Sequence, residues 1–129
     1  MRYDVTFITA GLLCVLAGMA FGIWMGIGGD FTYAPAHAHL NLVGWVTLSL
    51  YGLMHRAYPA LRTAKLAPVQ LVLAIVGAIT VPFGIIQAIG AGDHSGPPIL
   101  AIASSLLIIL AALLFTIMFV GKAALAKPA

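Results

Sequence analysis

Apolar residues occupy this chain in four long runs, and polar residues are confined to the gaps between them. The runs cover about 5–28, 37–58, 67–91 and 97–121, and each is long enough to cross a bilayer, which takes about 20 helical residues. Arg56, at the end of the second run, is the sole Asp, Glu, Lys or Arg inside these windows. The gaps, "GGDFTYAP", "YPALRTAKLAP" and "GAGDHSGPP", carry the Gly and Pro that punctuate helices. The pattern predicts an all-α integral membrane protein, a single four-helix transmembrane domain over residues 1–129. The first run is longer than the apolar core of a signal peptide, and no cleavage motif of small residues follows it, so it is expected to be a helix.

Composition changes the picture only by closing off soluble folds. The chain of 129 residues is 63% hydrophobic and 7% charged, against roughly 25% charged residues in soluble domains. A small domain has too little interior to hide so much apolar surface. The net charge of +3 therefore points to no nucleic-acid partner; its meaning lies in position. Arg2 precedes the first run, Arg56, Arg62 and Lys65 surround the second gap, and Lys122 and Lys127 end the chain. All six basic residues thus fall on one side, while Asp30 and Asp93 mark the other. The positive-inside rule then predicts an inner, plasma-type bacterial membrane protein with both termini cytoplasmic and residues 37–39 at the outer face. Cys14 is alone, excludes an intrachain disulfide and is expected to be a packing residue.

Small residues suggest how the runs pack. Gly18, Gly22 and Gly26 form consecutive small-xxx-small steps, with Gly11 further back, suited either to packing within the chain or to an oligomer seam. In the third run Pro82 removes a backbone donor and is expected to kink the helix, with Gly84 easing the bend. Gln87 lies toward the outer end at about the depth of His39, placed to bond a neighbouring helix or to support a cofactor. In the fourth run Ser104 and Ser105 are expected to bond their own helix.

The chemistry lies in "PAHAHLNLVGWVTLSLYGLMHR" (35–56). A helical residue advances about 100°, so His37 and His39 are about 200° apart and face nearly opposite ways. One regular helix cannot close both on a single metal, which needs spacing i, i+4. The spacing suits one helix facing two separate sites at the same depth. Asn41, Gly44, Tyr51 and Gly52 continue the His37 face, a stripe able to accept a flat ligand or a neighbouring backbone. His55, beside Arg56, is expected at the cytoplasmic interface, and His94 in an outer loop.

At "HAHLNLVGWVTL" the chain resembles the tenth helix of the catalytic subunit of haem-copper oxidases, closest to the cbb-type oxidases and nitric oxide reductases. There an H-x-H pair near the outer end of the helix is followed by Gly-Trp. The resemblance implies that His37 matches the ligand of the high-spin haem, His39 the ligand of the low-spin haem, and Gly44–Trp45 the Gly-Trp pair. It covers about 20 residues, judged by the length of one span. The family's copper-site histidines, and the second-helix histidine that completes its low-spin haem, have no counterpart here. Their absence argues against oxidase or nitric oxide reductase activity, and no catalytic residue is assigned.

Three copies would restore the family's twelve helices. In a cyclic trimer, His37 of one subunit would face His39 of the next across a shared pore. The leading expectation is a membrane protein holding haem b at such an interface, serving electron transfer or redox or gas sensing. Its cofactor-binding residues would be His37, His39, Asn41, Gly44, Trp45 and Gln87, with His37 and His39 on the iron. Copper is the alternative metal, since imidazole suits both. A quinol or a cytochrome is the expected class of redox partner. Two readings compete: a cofactor-free assembly subunit held by the glycine seam, and a small proton-coupled transporter. The latter lacks an acidic residue within the membrane.

Overall fold

The computed structural model describes residues 1–92 and 97–123. Asp93, His94 and Lys127 lie outside the described residues. Those described form helices and connections, with no strand among them. Helix α1 (Tyr3–Gly28) ends on Gly29, whose φ of 63° is left-handed and suits glycine at a helix C-terminus. The turn after it is tied by Asp30, whose Oδ1 accepts both the Thr32 amide (2.9 Å) and the Thr32 hydroxyl (2.6 Å). These bonds hold the Asp30 carboxyl below the usual carboxylate range. The turn is therefore tied above that range and loosens as acidification protonates Asp30.

The chain then enters α2 (Ala34–His39), with Pro35 in its first turn, where a missing amide costs nothing. It continues without a break through a π-helical segment, Leu40–Thr47, into α3 (Leu48–Ala57). The helix thus starts three residues before the predicted 37 and is not a regular α-helix. The Thr47 hydroxyl donates to the Leu42 carbonyl five residues back, the reach of the wider turn (2.9 Å). A 3₁₀ turn (Pro59–Thr63) leads to α4 (Ala67–Ala91), which runs through Pro82. Helix α5 (Ile99–Met118) begins only after the two prolines at 97 and 98 and ends in a second π-helical turn, Phe119–Ala123.

Among the described residues three helices, Tyr3–Gly28, Ala67–Ala91 and Ile99–Lys122, are long and apolar enough to cross a membrane. Their outward surface has the composition of a lipid-facing one: Leu13, Ile23, Phe83 and Ile109 are each more than 60% exposed.

Helix α1 packs along the π-helical segment and α3, α4 packs along α5, and α2 leans on α4. Glycines set the close approaches. A Cβ on Gly18 would meet the Asn41 carboxamide at 2.5 Å, and one on Gly22 would meet His37 Cε1 at 2.9 Å. Those two glycines therefore serve packing within the chain, whereas Gly26 has open space before it. Cys14 is buried against Gly44, as a packing residue. Ser104 donates to the Leu100 carbonyl of its own helix (2.7 Å). Asp4 joins Arg2 (3.6 Å) and Arg56 (3.2 Å), and Arg62 Nε donates to the His55 carbonyl (3.0 Å). The arginines of three chain segments thus gather at one end of the bundle.

Candidate functional site

His37 and His39 both lie in the α-helical first turns, ahead of the π-helical segment, so the 100° step applies to them. Their surroundings differ. His39 is exposed, and its Nδ1 lies 2.8 Å from the Pro35 carbonyl one turn back. A carbonyl only accepts, so Nδ1 carries the proton. In the neutral ring the lone pair then sits on Nε2, and the ring orientation is fixed. A backbone carbonyl on one imidazole nitrogen is the usual arrangement behind a metal bond on the other.

His37 is half-buried over Gly22, with the Phe21 ring edge-on at 6.2 Å between centroids. Asn41 braces it: Nδ2 donates to the His37 carbonyl (2.8 Å) and lies 3.4 Å from its Nδ1. Gly44 meets Cys14, and the Trp45 carbonyl and ring lie beside Gly11. The polar and small stripe of this helix therefore takes the backbone of α1 as its neighbour. Of the six residues expected around a cofactor, the structure places His37, Asn41, Gly44 and Trp45 against α1. His39 and Gln87 are exposed, Gln87 in the second-last turn of α4.

Between α1 and α4 lies a groove of about 590 Å³, lined without a charged side chain by Cys14, Ala17, Phe21, Leu40, Ile79 and Pro82 among others. Phe21 lines it and also touches His37, so the groove and the imidazole adjoin through one ring. Its size falls in the range of sites for small ligands and cofactors, roughly 300–1,000 Å³. Among the described residues no three His, Cys, Asp or Glu side chains gather around a common point.

Comparison with protein-family models, with curated proteins and with solved structures finds no match to this chain.

The opposite end of the bundle holds the buried polar side chains of His55 and of Gln70, the latter not singled out by the sequence pattern. His55, expected at the interface beside Arg56, is fully buried. Its ring stacks on Tyr3 (5.3 Å) and Phe7 (5.7 Å) and meets Phe115 edge-on (6.0 Å). Among the described residues neither ring nitrogen has a hydrogen-bond partner. Gln70 is equally buried, and neither of its amide atoms has a partner among the described residues. Gln70 interrupts an apolar run just as Gln87 does, so the same signal applied to it. An unpaired buried polar group costs about 1–3 kcal/mol. His55→Phe keeps an aromatic ring among aromatic rings and removes that cost. It is expected to raise the melting temperature of the protein in detergent, followed by tryptophan fluorescence; a lower value would show that the imidazole has a partner.

Proposed function

We propose that this chain is a four-span membrane protein that binds haem b between copies of itself, the group being held by His39 of one subunit and His37 of the next. The observation that carries the reading is the exposed His39 imidazole, pinned through Nδ1 to the Pro35 carbonyl. His37, two residues away, turns instead toward α1. A single chain therefore cannot close both rings on one iron, and a heterologous contact between copies can. The cyclic trimer is the assembly proposed.

The donor set fits the group. Two imidazoles would suit a b-type haem, and a group held by both would serve electron transfer. The haem would supply a one-electron couple. Pro35 fixes the His39 tautomer, Asn41 orients His37, and Gly18 and Gly22 make room for both side chains. The run Ala34–Ala57 is taken as the fourth span, entering from the outer face near Asp30. Both termini then lie on the cytoplasmic side, with the cluster of Arg2, Arg56 and Arg62.

A second reading is favoured by one observation: His37 already serves as a packing residue over Gly22. On that reading the chain is a cofactor-free assembly subunit. The reduced-minus-oxidised absorption spectrum of the purified protein separates the two. A b-type α-band is expected; its absence, in protein purified from haem-replete cells, would leave the assembly subunit.

A further inference from the structure

At the arginine-rich end, a second cleft lies between the segment 63–66 and the C-terminal part of α5. It encloses about 350 Å³ and is lined by Ala64, Leu66, Ile117, Met118 and Gly121, with Lys65 and Lys122 also on its walls. Two cations thus share an apolar cleft at one end of a membrane bundle. Asp4, the acid found at this end, is taken by Arg2 and Arg56, and among the described residues no carboxylate pairs with Lys65 or Lys122. The Thr63 hydroxyl donates to the Ala60 carbonyl, so the ammonium groups are the free side-chain donors of the cleft.

We infer that this cleft binds one anionic phospholipid, its phosphate between Lys65 and Lys122 and the start of an acyl chain against Leu66, Ile117 and Gly121. Charge decides the headgroup: two unpaired ammonium groups attract a net negative phosphodiester more than a zwitterionic one. The apolar walls decide for a lipid over a free anion, since dissolved phosphate gains nothing from Leu66, Ile117 and Met118. Gly121 decides where the chain runs. A Cβ built there meets nothing within 4 Å, so the absent side chain leaves room that a methylene chain can fill. The inference depends on the membrane placement of the bundle and not on the haem at its other end.

The test is native mass spectrometry of the delipidated protein in neutral detergent, titrated with phosphatidylglycerol or with phosphatidylcholine of the same chains. Phosphatidylglycerol is expected to bind about tenfold more tightly, and the exposed-site double variant Lys65→Gln/Lys122→Gln to erase that preference. Gly121→Leu keeps both charges and fills the chain's place, so it should weaken both lipids several-fold. Equal binding of the two lipids, or an unchanged preference in the lysine variant, would overturn the proposal. Displacement of phosphatidylglycerol by millimolar inorganic phosphate would make the site one for a free anion. An unaffected Gly121→Leu would reduce it to headgroup attraction alone, and either result also overturns the lipid site.

Discussion

Co-expressed in equal amounts, His37→Ala and His39→Ala chains are expected to recover about one quarter of the wild-type haem, although neither variant alone holds any. The fraction follows from the symmetry of a heterologous ring, in which each interface pairs one residue of a subunit with a different residue of the next. Every interface of a homogeneous His37→Ala ring lacks His37, and every interface of a homogeneous His39→Ala ring lacks His39. In a random mixture an interface is intact only where a His37→Ala chain offers its His39 to the His37 of a His39→Ala chain. Each choice has probability one half, and their product is about one quarter. The measurement is the α-band of the reduced pyridine haemochrome per mole of chain. Zero recovery, with the wild type carrying haem, would mean that both ligands come from one chain; were only one of the two to bind, the variant that keeps it would hold haem by itself. Recovery of full haem content would show that either histidine suffices.

The structural basis for that experiment is the division between the two rings. His39 is exposed and held by its own helix through Pro35, so His39→Ala should leave the fold undisturbed. His37 touches Gly22 and Phe21 of α1, so its loss also opens space between two helices. Added imidazole is therefore expected to restore a low-spin spectrum more readily in His37→Ala, where a cavity remains, than in His39→Ala.

That the two rings point different ways was legible in the sequence because it needed only local geometry: two residues and an α-helical step. The runs of apolar residues were legible for a similar reason, and α4 begins at Ala67 and ends at Ala91 as its run does. The burial of His55 was not. Its position beside Arg56 marks the helix end, and the rings that enclose it, Tyr3, Phe7 and Phe115, come from two other helices. No pattern along one helix records what two others bring to it. The π-helical segment Leu40–Thr47 was equally hidden, for its residues have no composition that separates a wide turn from a regular one. The glycines of α1 stood between. Their spacing announced a close approach, but only the packed bundle assigns Gly18 to Asn41 and Gly22 to His37.

Gly84→Ala is expected to be the most damaging single-methyl change in the bundle. A Cβ there would lie 2.6 Å from the Ala101 amide nitrogen, 2.7 Å from its Cα and 2.9 Å from the Leu100 carbonyl carbon. All three are backbone atoms, so no rotamer relieves the clash, and α4 must move away from α5, against which it packs along its length. Overpacking of this kind costs about 1–3 kcal/mol and sometimes more. In a membrane the loss falls on the van der Waals contact that holds helices together, because lipid provides no hydrophobic drive between them. Gly18→Ala meets only the end of the Asn41 side chain, which can swing aside. Its cost should be smaller and should appear instead as a disturbed His37, read in the haem spectrum. Gly26→Ala meets nothing and should leave stability unchanged. Thermal unfolding of the three variants in one detergent ranks them. A Gly84→Ala protein as stable as Gly26→Ala would show that α4 and α5 do not approach through Gly84, and with it that the α4–α5 half of the bundle is packed differently.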